Sequence, residues 1–139
     1  MSHREHREQK EDTELNDDIN KLTEMVIGAA IEVHRDLGPG LLESAYQRAL
    51  EHELTLRKVR FEAQKVCPVT YKGLVLEDAY RLDLLVEDKL VIELKTIDTF
   101  ADVHEAQVLT YLKFSGCHIG LLINFRTRLL KDGVRRLAL

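Results

Sequence analysis

The spacing of apolar positions changes period along this chain, and each change marks a new element. From Leu15 to Leu37, Leu22, Met25, Val26, Ala29, Ala30, Val33 and Leu37 recur three and four apart, which predicts an amphipathic helix. Asn16 or Asp17 can cap its start, and Gly38-Pro39-Gly40 stops it. Leu42, Ala45, Tyr46, Ala49, Leu50 and Leu54 predict a second helix ending near Lys58. The period then falls to two. Val59 to Tyr71 reads as a strand broken at Pro68, which has no N–H for a ladder and so implies an edge or a bulge. Lys72-Gly73 is a turn. Leu74 to Val86 and Leu90 to Thr96 read as antiparallel strands about a tight turn at Asp88. Asp102 is expected to cap a third helix running to about Ser115. Ile119 to Phe125 is apolar without a break, a strand buried on both faces. Lys131-Asp132-Gly133 is a turn, and Val134 to Leu139 a last short strand. The order α-α-β-β-β-α-β-(β) predicts a mixed α/β (α+β) layered fold.

Composition adds bounds. A chain of 139 residues is expected to form one domain, here residues 15–139. Residues 1–14 are polar and aperiodic and read as a disordered charged arm. No apolar run is long enough to span a membrane, and the start lacks an apolar signal core, so no membrane partner and a cytoplasmic location are expected. Cys67 and Cys117 lack metal-ligand spacing and read as reduced thiols. The net charge of −4 is unevenly spread. Residues 1–18 hold three basic and seven acidic side chains, so the remainder is neutral. From Lys113 onward, Arg126, Arg128, Lys131, Arg135 and Arg136 face Asp132 as the single acidic residue, a surface suited to phosphate contacts.

The two strands around Asp88 hold the residues that carry chemistry. Asp83, Glu93 and Lys95 interrupt runs that otherwise read as buried, and a buried carboxylate without a partner is costly. Glu93 and Lys95 are two apart and share a face, with Ile92 and Leu94 on the other. A turn centred on Asp88 sets Asp83 across from Glu93, and a one-residue slip would spoil the pairing. Two carboxylates so close raise one pKa, and a divalent cation removes that problem. Mg²⁺ suits carboxylate oxygens and phosphate. A salt-bridge network of Asp83 or Glu93 with Lys95 is the metal-free alternative.

Asp83 followed by Glu93-Leu94-Lys95 resembles the signature of the PD-(D/E)XK nuclease superfamily, with Leu82 standing where that signature often has proline. Gly40-Leu41-Leu42-Glu43-Ser44-Ala45-Tyr46 resembles the G-x-x-E-x-x-Y element that names a small single-domain branch of it. Gln107 and Tyr111, four apart on the third helix, resemble the Q-x-x-x-Y element of the RecB-like branch. The resemblance spans about residues 19–139. It implies a restriction-endonuclease-like αβββαβ core with a mixed central sheet flanked by helices. It also implies a nuclease using Mg²⁺ or Mn²⁺ to hydrolyse phosphodiester bonds, of DNA in preference to RNA. Glu43, Asp83 and Glu93 would hold the metal, with Lys95 assisting the attacking water. Gln107 and Tyr111, with His104 and Arg81 beside them, would contact substrate. The alternative is a binding or regulatory module that keeps the fold with little turnover. An edge strand leaves room for a homodimer. His34 reads as a helix-end residue favoured by the dipole, and Tyr71 and Tyr80 as packing residues.

Overall fold

The computed structural model describes the backbone of residues 3–139 and the side chains of Glu14 and residues 16–139. Helix α1 runs His3–Leu37 and helix α2 Glu43–Leu56. Strands β1 (Phe61–Tyr71), β2 (Leu74–Val86) and β3 (Leu90–Lys95) follow. Helix α3 is Asp102–Ser115 and β4 is Ile119–Asn124. A 3₁₀ turn at Leu130–Gly133 leads into β5, Val134–Ala138. The stretch from α2 to β4 is the expected αβββαβ order.

Two element starts differ from those expected. Helix α1, expected from Leu15, begins at His3. That stretch holds Arg, Glu, Gln and Lys, which favour helix, and neither Gly nor Pro to stop one. Asp102 is the first residue of α3 and not its cap. The cap is Ala101, whose N–H is taken by His104 Nδ1 at 2.8 Å, so the helix is capped from within. The stop after α1 is as expected: Gly38 has φ +76°, and its N–H donates to the His34 carbonyl at 2.8 Å.

The five strands lie in the order β1-β2-β3-β4-β5. Neighbours are antiparallel except β3 and β4, which are parallel and joined across α3. The β2–β3 ladder pairs Leu84 with Ile92 and Val86 with Leu90, a register centred on Asp88 as expected. Pro68 lies on the edge strand and at a register shift between Cys67 and Val69, so both readings of that proline hold.

Helices α1 and α2 cover one face of the sheet. There Val26, Ala29, Tyr46 and Leu50 pack on Leu84, Ile92, Leu94, Leu121 and Ile123. Helix α3 covers the other face, where Val108 and Leu112 meet Leu82, Leu85, Val91 and Leu122. Leu82 and Leu84 are two apart yet belong to different layers. The alternation of β2 therefore breaks at Asp83. The facing strand breaks with it: Gln64, opposite Asp83, has φ +52° and is skipped in the pairing.

Candidate active site

That break sits at the centre of the candidate site. Freed from regular alternation, the Asp83 carboxylate turns along the sheet, and its Oδ2 accepts the Leu94 N–H at 2.8 Å. The hydrogen bond ties β2 to β3 just beyond the last pair of their ladder. On the helix side, Gln47 of α2 donates to the Asp83 carbonyl at 3.0 Å and to Glu51 at 3.1 Å. Asp83 is thus held at backbone and side chain alike.

Glu93 and Lys95 project from β3 into the α3 layer, as expected from their spacing. Glu43, Arg81, Asp83, Glu93, Lys95, Gln107 and Tyr111 all line one open cleft of about 520 Å³. Val66, Asp78 and Tyr80 complete its wall. His104 is the exception. It lines a neighbouring hollow with Lys95 and Gln107, and its Nδ1 is committed to the helix cap. Tyr80 both packs and lines the cleft, since it stacks on Tyr111 at 5.1 Å.

The tyrosine of the Gly40-x-x-Glu43-x-x-Tyr46 element has a structural task. Tyr46 is fully buried and stacks on Phe125 at 4.5 Å. Its hydroxyl donates to the Gly38 carbonyl and accepts the Leu41 N–H at 3.0 Å. The loop entering α2 is thereby pinned, and Glu43, the first residue of α2, is aimed from a fixed start.

Two supporting residues escaped the sequence reading. Gln47 lies one helical turn after Glu43, a spacing that could have marked it. Asn124, only 2% exposed, ends β4 in register with Lys95. Its amide donates to the Ile97 carbonyl at 2.8 Å and accepts the Ile97 N–H at 3.1 Å. It also accepts the Arg126 N–H at 3.1 Å. One side chain therefore clamps both loops that leave the parallel strands beside Lys95. His34 stands in the last turn of α1, as expected; it is buried, and its Nε2 donates to the Thr127 carbonyl at 2.7 Å, bracing the second of those loops.

The electrostatics follow from burial. Glu93 is pushed up to about 9, first by desolvation, then by a hydrogen bond to Asp83 and repulsion from it, with Lys95 pulling the other way. Near neutral pH it keeps its proton. Glu43 is also raised, by desolvation and by Asp83, although Lys95 and a hydrogen bond from the Thr96 backbone oppose this. Tyr111 is raised by desolvation and by Glu93, so its hydroxyl remains a proton donor. Among the described residues Lys95 makes no salt bridge with Glu43, Asp83 or Glu93, which removes the support for a metal-free ion-pair network.

The model of the PD-(D/E)XK nuclease superfamily matches residues 20–137. This chain belongs to that superfamily. No curated protein and no solved structure matches it. The mixed five-stranded sheet with its three helices is a restriction-endonuclease-like PD-(D/E)XK fold. The superfamily implies a nuclease with a nucleic acid substrate, and its members generally use divalent metals. No helix among the described residues is long and apolar enough to cross a membrane.

The donors of this PD-(D/E)XK cleft fit a divalent ion in kind. Among the described residues no three His, Cys, Asp or Glu groups stand as a closed metal cluster. Asp83 and Glu93 nevertheless bring hard oxygen donors to the same cleft, and Glu43 acts on Glu93 from α2.

Proposed function

We propose that the cleft is the active site of a Mg²⁺- or Mn²⁺-dependent nuclease that hydrolyses phosphodiester bonds of DNA, in the small branch named for the G-x-x-E-x-x-Y element. The observation that carries this reading is the convergence of Glu43, Asp83, Glu93 and Lys95 in one cleft, where burial and Asp83 push Glu93 up to about 9.

Glu43, Asp83 and Glu93 would hold the metal, which would polarise the phosphate and lower the pKa of water. Because Glu93 is pushed up to about 9, metal binding there would couple to pH. Lys95 orients the attacking water and meets the charge that develops on the phosphoryl oxygens. Arg81 faces substrate phosphate. Gln107 and Tyr111 offer hydrogen-bond donors on one helix face, Tyr111 with its hydroxyl kept protonated. His104 orders the start of α3 and with it the position of Gln107.

The test is digestion of labelled single- and double-stranded DNA and RNA with Mg²⁺ or Mn²⁺. Wild-type protein is expected to cut DNA, and Asp83→Ala and Lys95→Ala each to lower the rate on the order of a thousandfold. A wild type that cuts none of the four substrates, or variants that cut equally well, would overturn the reading.

A further inference from the structure

The cleft has an aromatic wall that the metal chemistry leaves unused. Tyr80 on β2 stacks on Tyr111 of α3, with ring centres 5.1 Å apart and planes 20° apart. Phe114, three residues further along α3, meets the same Tyr80 ring at 6.4 Å and 40°. Tyr80 and Tyr111 rest half-buried on the apolar layer beneath α3, and both line the cleft. Phe114 is 44% exposed. A single exposed ring is ordinary, but this one continues a stack that begins in the cleft. The three rings, centred on Tyr80, therefore lead from the cleft to solvent between α3 and β2.

Positive charge accompanies the rings. The Lys113 ammonium lies over the Phe114 ring at 5.2 Å. Arg81 follows Tyr80 in sequence and lines the cleft beside Lys95. Among the described residues none of these three cations makes a salt bridge. Burial pushes the Tyr80 hydroxyl up to about 12, with Cys67 adding to it, and Tyr111 is raised as well. Both rings therefore stay neutral beside an anion. Tyr71, expected to pack, is instead 59% exposed near the tip of the β1–β2 ribbon, with the Lys72 ammonium over its ring at 5.4 Å.

We propose that Tyr80, Tyr111 and Phe114 form a stacking platform for the unpaired bases of a single-stranded nucleic acid, with Arg81 and Lys113 on its phosphates. Every base has a π-face that an aromatic ring can cover, and cations between the rings suit the backbone. In a duplex those faces are already covered by the neighbouring pairs, so the platform selects single strands. The proposal rests on the nuclease reading, since it names the form of substrate that reaches the same cleft.

Fluorescence anisotropy in EDTA, where no metal-dependent cleavage occurs, tests it. The probes are a labelled single strand, the same strand in a blunt duplex, and an abasic strand of equal length that keeps the phosphates. The wild type is expected to bind the single strand about tenfold tighter than either of the others. Phe114→Ala should remove most of that preference. Lys113→Ala should weaken the single and the abasic strand alike, because it removes a phosphate contact. A wild type that binds the abasic strand or the duplex as tightly as the single strand overturns the proposal, as does a Phe114→Ala variant that keeps the preference. Far-ultraviolet circular dichroism checks that the variants are folded. If Phe114→Ala does not fold, photocrosslinking of the wild type to a strand carrying 5-iodouracil decides. Adducts are then expected on Tyr80, Tyr111 or Phe114, and adducts found only elsewhere overturn the platform. Strand binding without cleavage in Mg²⁺ or Mn²⁺ would sink the nuclease reading alone, and cleavage without a preference for bases would sink this one alone.

Discussion

The two faces of the central sheet are made by the same strands and do opposite work. On the α1/α2 face, Leu84, Ile92, Leu94, Leu121 and Ile123 are fully buried among apolar neighbours. On the α3 face the same strands present Asp83, Glu93 and Lys95 to a cleft. Strand β3 passes between the two environments at every residue: Leu94 is sealed, and Glu93 beside it is a buried carboxyl pushed up to about 9. Burying leucine stabilises the fold, and burying an ionisable carboxyl opposes it. The difference teaches that the site draws its tolerance for strain from the layer behind it. Stability and activity should therefore separate between adjacent residues.

The largest stability effect should come from the sealed face. Leu94→Ala removes a fully buried side chain and should cost about 3 kcal/mol, lowering the melting temperature by roughly 10 °C. The Leu94 N–H that holds Asp83 belongs to the backbone and survives the change. Cleavage per folded molecule, measured well below the melting transition, should stay near wild type. If the folded variant has lost activity, the two faces are not separable and the comparison fails.

Much of this arrangement was legible from periodicity. The β2–β3 register followed from a turn at Asp88, which sets Asp83 toward Glu93. The gathering of Glu43, Gln107 and Tyr111 on the cleft was implied by the resemblance to the nuclease superfamily, and not by their spacing alone. Three features were not legible, for physical reasons. The break in β2 at Asp83 depends on a positive φ at Gln64 in another strand, and pattern along one strand cannot show that. Asn124 acts through bonds to the backbone of distant segments, which leave no side-chain partner to recognise. The start of α1 depends on helix propensity in a stretch without apolar periodicity, where a pattern-based reading falls silent.

Glu93 itself sharpens the comparison on the other face. Its folded pKa of about 9 lies above the ordinary 4.5, so the folded protein holds a proton that the unfolded chain releases. Its contribution to stability is constant below about 4.5, declines as pH rises and levels off above about 9. Without metal, the melting temperature should fall across that window, and Glu93→Gln should flatten the fall. At pH near 8 the variant should melt higher than wild type by about 5 °C. Added Mn²⁺ should stabilise the wild type, more strongly as pH rises, because the ion displaces the proton. The variant should lose most of that response. A wild-type melting temperature that rises from neutral to alkaline pH without metal would show that Glu93 is not the strained group on this face.

The smallest effect belongs to the rim of the cleft, where residues would touch substrate without bearing on the core. Tyr111 is half-buried, stacks on Tyr80 and lines the cleft. Tyr111→Phe keeps the stacking ring and removes only the hydroxyl, a donor kept protonated by desolvation and by Glu93. Loss of one such hydrogen bond to substrate should weaken kcat/KM by about threefold to tenfold. The melting temperature should stay unchanged, because the ring still covers Tyr80. Tyr111→Ala, by contrast, should lower both. If Tyr111→Phe instead destabilises the fold, the hydroxyl serves packing, and the boundary between the sealed and the working face lies nearer the cleft than the motif implies.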